Sequence, residues 1–334
     1  MTNDERSTKH KVRKLVLGNS LVIRHWSFVI SPPVFVFLVL TLTTASAGEF
    51  AVEQKPDRLI ITHGGEPVAH YIWKDERVLR PFFAHVYALG GIQVSRNFPP
   101  VSGTDPTDHE TMHPGIWLGF GDISGHDFWR NKAVVKHERF LQLPKVGEGK
   151  LTFTTENSFQ TTQGQLVCKQ ASRFSLSSRP AGYLLIWDAS FDSSEGDFTF
   201  GDQEEMGLGV RVTTKITEKN GGTIRSSEGG NSAKVTWGKP AKWCDYSGTV
   251  NERSVGIAIF SAPENFRPSW WHNRDYGLFV ANPFGRKALT QGQVSEVRVK
   301  KGKTFQLRFG VLLHSSGTNQ PVDIVAAYED FVTQ

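Results

Sequence analysis

Between Leu59 and His314 the chain is dominated by alternation. Segments such as KLTFTTENSFQT, QLVCKQASRFSLSS and FQLRFGVLLH set apolar and polar residues at every second position, with Gly, Pro, Asn or Ser between the runs. A period of two is the pattern of strands whose side chains point to opposite faces. Many short strands without intervening helical patterns exclude a βαβ layout and point to a sandwich. The predicted fold is therefore all-β: a large antiparallel β-sandwich with one short C-terminal helix. PVDIVAAYEDFV supplies that helix, with Val322, Val325, Ala326 and Phe331 as its expected apolar side. LIIT and VAHYIW are expected to form a hairpin about Gly64-Gly65, and VSEVRVKKGKTFQLRFGVLLHSS another about Lys301-Gly302. KNGGTIRSSEGGNS reads as a long exposed hairpin loop and SAKVTWG as a strand.

The first 47 residues have a different character. MTNDERSTKHKVRKLVLGNSLVIRHWS is basic, VISPPVFVFLVLTLTT is apolar, and Ala45-Ser46-Ala47 is a small-residue cleavage pattern. This is the layout of a secretory signal peptide over residues 1–47, followed by a single β-sandwich domain over 48–334. The expected location is periplasmic or secreted. Six of the 38 Lys+Arg and two of the 33 Asp+Glu lie in the leader, which leaves 32 basic against 31 acidic side chains, a net of +1. The basic balance of the whole chain is mostly a targeting feature, so nucleic acid is not an expected partner. No later segment has the roughly 18 consecutive apolar residues of a membrane helix. Cys168 and Cys244 are the only cysteines, too few for a cysteine-rich metal site, and either a disulfide or two buried thiols fits an oxidising compartment.

Chemistry concentrates in FPPVSGTDPTDHETMHPGIWLGFGDISGHDFW, residues 98–129. His109, Glu110 and His113 satisfy the H-E-x-x-H expression of zinc proteases, which requires a helix and a further ligand. Pro106, Pro114 and Gly115 argue instead for a loop. A divalent metal on His109 and His113 remains open; the sequence requires no cofactor. GFGDISG lacks the G-x-G-x-x-G order of a dinucleotide site, and there is no G-x-S-x-G elbow. The preferred reading makes His109 and His113 proton-transfer groups, with Asp108 or Glu110 orienting them. Trp117 offers a face for a sugar ring, and His126 and Asp127 supply directed hydrogen bonds. Two further clusters add to this. GDQEEMGLGVRV places Glu205 (or Glu204) and Arg211 at a strand entrance, and only one of the adjacent acids can face a given side. RPSWWHNRDYG adds His272 as a catalytic candidate, with Arg267, Trp271 (or Trp270) and Arg274 as substrate contacts suited to a carboxylate or polyol. His314, at a strand end, reads as structural.

GTDPTDHETMHPGIWLGFGDISGHDFW, EEMGLGVRV and RPSWWHNRDYGLFVANPFG together resemble the exported bacterial proteins labelled PmoA-like, or "methane oxygenase". The resemblance covers residues 55–334. Relatives carry a D-H-x-x-H-R-G-I-W-F-G-F-G-D pattern; His109 and His113 match its histidines, whereas Pro114 stands where arginine is common. The resemblance implies a β-sandwich of the galactose-mutarotase or polysaccharide-lyase type, with His, Glu, Arg and aromatic residues lining a concave sheet. Nothing in the chain fits the hydrophobic spanning helices of a methane monooxygenase. The expected function is an exported carbohydrate-active enzyme of hydrolase, lyase or epimerase type acting on an oligo- or polysaccharide. The alternatives are a sugar-binding or structural protein without turnover, or a metal-dependent enzyme. Convergence of His109, His113, Glu205, Arg211, His272 and His314 in one cleft would favour the enzyme.

Overall fold

The computed structural model describes residues 48–317 and 320–334, so the leader expected at 1–47 lies outside the described residues. Among them are two eight-stranded sheets. In space, the first runs Phe50–Gln54, Arg58–His63, Glu66–Ile72, Phe82–Ala84, Ile116–Phe120, Met206–Arg211, Leu278–Asn282, Trp270–Trp271. The second runs Thr223–Ser226, Trp243–Val250, Arg253–Ser261, Phe305–Ser315, Gly182–Asp192, Leu166–Arg179, Lys150–Gln160, Val134–Gly147. Every pairing within them is antiparallel. This is the all-β antiparallel sandwich that the alternation predicts, with its short C-terminal helix at Ile324–Val332.

The inner faces meet in one aromatic core. Tyr71 of the first sheet packs on Phe153 and Phe174 of the second, at ring centroids of 5.2 and 5.1 Å. Ile116, Leu118 and Phe120 point inward with Met206, Leu208 and Val210 of the neighbouring strand. Trp117, Gly119, Gly209 and Arg211 consequently take the outer face, because successive side chains alternate. The hairpin at Gly64-Gly65 forms as expected, with both glycines left-handed at φ 57° and 86°, the conformation a two-residue turn demands.

Four local expectations are corrected. The helix buries Ile324 and Phe331 and half-buries Ala327 and Tyr328, while Val325 is exposed. The spacing 324, 327, 328, 331 is one helical stripe: it keeps Phe331 of the expected side, whose ring fills the hollow at Gly310, and turns Val325 and Ala326 outward. A Cβ on Gly310 would lie 2.7 Å from the Phe331 ring. Lys301-Gly302 does make a turn, but its two strands part. Val297–Val299 pairs with Phe198–Phe200, whereas Phe305–Ser315 enters the second sheet. KNGGTIRSSEGGNS is not all loop: Thr223–Ser226 is an edge strand anchored by fully buried Ile224. SAKVTWG contains a helical turn, Ala233–Thr236, capped by the Ser232 hydroxyl accepting from the Val235 N–H. Cys168 and Cys244 are free, buried thiols.

The observed helix stripe makes a direct prediction. Phe331→Ala is expected to lower unfolding free energy by about 3–5 kcal/mol. Val325→Ala should stay within about 0.5 kcal/mol. Urea denaturation of the two variants checks the assignment, and equal losses would contradict it.

Candidate active site

Two tryptophans floor the outer face of the first sheet. A Cβ on Gly209 would lie 2.6 Å from the Trp117 ring, and one on Gly119 3.0 Å from Trp129. Glycine is needed here for space: the indoles lie directly on the backbone. They meet edge to face at 5.1 Å, and both are fully buried. The Arg80 guanidinium sits 5.7 and 5.9 Å from their rings.

Over this floor passes the loop 105–113, held by three buried arginines. Arg96 donates to the carbonyls of Pro106 (3.0 Å), Asp108 (2.8 Å) and His113 (3.0 Å). Arg80 donates to the carbonyls of Met112 and Trp129. Arg211 forms a two-pronged bond to the Asp108 carboxylate, 3.0 Å on each prong. Such a fork matches carboxylate geometry and fixes the loop's position. Burial works against the Asp108 charge. The Arg211 bond, the His109 bond and the charges of Arg211 and Arg96 prevail and hold its pKa at about 2. Asp108 is thus ionised and accepts from His109 Nδ1 at 3.0 Å. His109 occupies a left-handed backbone position (φ 50°), uncommon for a residue with a Cβ. Its side chain stays 43% exposed.

The rings form a near-parallel series. Tyr276 to His109 is 6.3 Å at 8°, His109 to His113 is 5.0 Å at 20°, and His113 to Trp117 is 5.4 Å at 10°. Arg211 caps Tyr276 at 4.4 Å. Burial first, then the neighbouring Arg211, His109, Arg96 and Arg80, pushes the His113 pKa well below the ordinary imidazole value. It is a neutral ring at pH 7.

A second polar group adjoins the first through Tyr276, which feels both Arg211 and Arg274. Glu204 pairs with Arg274 at 3.0 Å and lies 3.5 Å from His272 Nε2. His272 Nδ1 faces the Glu204 carbonyl at 3.1 Å. The Asn282 amide donates to the carbonyls of Gln203 and Glu204, fixing this turn at the end of the strand Met206–Arg211. Burial, then the Arg274 charge, lowers the His272 pKa to about 4. Glu205 turns aside to Arg130, which also holds Asp127.

His109, His113 and Arg211 therefore come together, and His272, Arg274 and Glu204 gather beside them. The other predicted residues do not join as expected. Trp117 is the floor under His113 and not an open sugar platform. Trp271 is buried between the sheets, its indole N–H donating to the Ala241 carbonyl, because it takes the inner face of its edge strand. Asp127 spends its carboxylate on the backbone N–H groups of Trp129 and Arg130. His126 closes a tight turn with Ile123. Arg267 bonds Ser295 and stacks on Phe266, apart from both groups. His314 lies in the second sheet in a buried pair with Asp245 at 2.6 Å. The segment 109–113 is a single turn and not the helix of a zinc protease, and Glu110 faces Arg77. Among the described residues no three His, Cys, Asp or Glu side chains form a metal-holding group, and no helix is long and apolar enough to cross a membrane. Arg130 and Trp237 were missed. Arg130 directly follows the HDFW motif, and Trp237 sits before a Gly-Lys-Pro turn, where an aromatic is poorly placed for a core.

Residues 58–328 match the model of the DUF6807 family, a family of unknown function, and the chain belongs to that family. The match does not carry the PmoA-like label suggested by the motifs. No curated protein matches the sequence. Solved structures with some likeness include a putative kojibiose phosphorylase from human microbiome, at 9% identity and TM-score 0.36. That alignment covers 86% of this chain and 37% of the phosphorylase, so the chain spans little more than a third of it. A galactose mutarotase-like protein from Lactobacillus casei ATCC 334 aligns at 10% identity and TM-score 0.33, over 79% of this chain and 100% of that one. A galactose mutarotase related enzyme from Lactobacillus acidophilus aligns at 14% and 0.29, over 82% and 99%.

The perturbed groups set a pH response. A histidine whose pKa is about 4 in the fold and about 6.5 unfolded binds its proton first in the unfolded chain. Stability then falls as pH drops from 6.5 towards 4. Asp108, depressed from 3.8 to about 2, adds a further loss as pH falls from about 4 to 2. The thermal midpoint should therefore decline through both windows. His272→Gln should make the upper limb shallower and leave the lower one, as scanning calorimetry at stepped pH will show.

Proposed function

We propose that this chain is an exported carbohydrate-active enzyme that works by proton transfer on the outer face of the first sheet. The observation that carries the reading is the series Arg211–Asp108–His109. The ionised carboxylate receives His109 Nδ1–H, so the other ring nitrogen, Nε2, is left as the basic atom of an exposed imidazole. That is the arrangement of an oriented general acid/base. Glu204, beside His272 and Arg274, is the second proton-transfer group, in preference to Glu205, which Arg130 holds. Arg274 is the charge clamp for a substrate oxygen or carboxylate. His113 and Trp117 shape the floor and do not exchange protons.

This set favours epimerisation or β-elimination over hydrolysis by paired carboxyls. Carboxyl-pair hydrolysis needs one acid kept protonated and a second free to attack or activate water. Here the two adjacent glutamates point apart, Glu204 to Arg274 and Glu205 to Arg130, and so do not form such a pair. In this reading the exposed imidazole of His109 is the proton carrier in place of a carboxyl pair, and a sugar with an acidic C–H or an anomeric hydroxyl suits it. The proposed export rests on the basic, apolar and small-residue pattern of residues 1–47, and cell fractionation with N-terminal sequencing of the released protein tests it.

The reading is tested on a panel of neutral and uronic oligosaccharides, following both reducing-end epimerisation and the absorbance of unsaturated products. Against a turned-over substrate, His109→Ala is expected to lower kcat at least ~100-fold with little change in thermal midpoint, since the side chain is partly exposed and Arg96 and Arg211 hold the loop without it. Near-wild-type turnover would sink the acid/base assignment.

A further inference from the structure

Next to the acid/base face lies a cavity of about 350 Å³ that the proposed mechanism does not use. It is lined by Trp237, Asn273, Arg274, Lys234, Asp275 and Glu218. Arg274 links the two places: its guanidinium pairs with Glu204 on one side and lies 5.7 Å from the centre of the Trp237 ring on the other. Trp237 is half-buried, at the end of the helical turn Ala233–Thr236.

Two polar atoms here have no partner: Asn273 Oδ1 and Trp237 Nε1. Asn273 is 2% exposed. The orientation of its amide follows from its neighbours. The Thr236 hydroxyl gives its proton to the Ser232 carbonyl at 2.8 Å, so it must accept from Asn273, which places Nδ2 towards it at 2.8 Å. Oδ1 is then the unmatched acceptor. An unmatched buried amide oxygen is costly, and so is an unmatched indole N–H. One wants a donor and the other an acceptor, and a hydroxyl group is both. The rim carries both signs, Lys234 and Arg274 with Glu218 and Asp275, and with Arg274 paired to Glu204 and Asp275 to Lys219 it is balanced. An aromatic ring, a donor, an acceptor and a balanced rim fit a neutral, hydroxylated ring.

We propose that this cavity is a sugar-binding subsite contiguous with the acid/base face, where a pyranose lies against Trp237 and hydrogen-bonds through its hydroxyls to Asn273 and Arg274. The inference rests on the carbohydrate reading above and extends it by placing the neighbouring sugar unit. It is tested by isothermal titration of the full chain with neutral gluco-, galacto-, manno- and xylo-oligosaccharides, alongside tryptophan fluorescence.

Trp237→Ala should weaken the best-bound saccharide about tenfold or more. Should that variant fold poorly, Trp237→Phe keeps a ring, and the fluorescence change that sugar produces in the wild type should vanish from it. Unchanged affinity in Trp237→Ala, the same fluorescence change in Trp237→Phe, or no saccharide binding by the wild type would each overturn the subsite. His109→Ala separates the two claims. Retained turnover in His109→Ala with lost binding in Trp237→Ala removes the acid/base assignment and leaves the subsite standing. Lost turnover with unchanged binding in Trp237→Ala does the reverse.

Discussion

The fork between Arg211 and Asp108 holds the candidate site together. Arg211 issues from an interior strand of the first sheet and is almost wholly buried, so its guanidinium is a fixed point. Asp108 belongs to a loop with little regular structure. Joining the two by parallel bonds transfers the rigidity of the sheet to the loop. Arg96 extends the effect by collecting three carbonyls of the same loop, and Arg80 ties its far end to Trp129. The left-handed turn at His109 persists because Arg96 holds the carbonyls on either side of it and Arg211 holds Asp108 just before it.

Of the three buried cations, Arg211 and Arg96 lie nearest the Asp108 carboxylate, while Asp105 and Glu110 act on Arg96 and Asp127 on Arg80 from farther off. Burial brings the pKa of Arg80 down to about 9 and that of Arg96 to about 10, so both remain charged at neutral pH. Their carbonyl partners spread that charge without cancelling it. The electrostatic consequence falls on the histidines. His113, enclosed among the arginines, is kept neutral. His109 has an ionised carboxylate as its nearest charged partner and solvent on its open side. Two imidazoles four residues apart thus sit in different surroundings: His113 is a buried packing ring, and His109 is partly exposed beside a carboxylate.

The sandwich was legible because a period of two survives wherever one sheet face is wet, as along Lys150–Gln160 and Leu166–Arg179. It fades in Ile116–Phe120 and Leu278–Asn282, which are buried on both faces. There the outward position of Trp117 follows only from its partner strand. The same limit explains Trp271: an aromatic pair on an edge strand sends one ring each way, and sequence does not say which. The separation of the strands around Lys301-Gly302 depends on which sheet each joins, a long-range choice that local turn chemistry does not reach. In the site, the histidines, Arg211 and Arg274 were visible as residue types in glycine-rich surroundings. Arg80 and Arg96 stand in RPFFAHVYALGGIQVSRNF, where polar residues alternate with apolar ones as on the wet face of a strand. Their work is done on backbone carbonyls, which leave no trace in side-chain chemistry.

The position of Pro114 shows how far this loop departs from the motif it resembles. Proline has no N–H and restrains the residue before it, so His113 is drawn towards an extended exit into the strand. Gly115 follows with its Cα so close to the neighbouring strand that a Cβ would sit 2.1 Å from the Phe83 carbonyl. The Gly115 carbonyl accepts from the backbone N–H of Arg211 at 2.8 Å. The chain is therefore carried from the exposed His109 to the buried sheet within a few residues, and the carbonyl that ends the descent bonds the same residue whose side chain clamps its beginning. An arginine at position 114 would bring a fourth cation to a region that already has three. With proline there, the Asp108 carboxylate is shared among Arg211, Arg96 and His109. In the proposed reading this leaves the proton traffic to one imidazole and gives the loop the single task of presenting it.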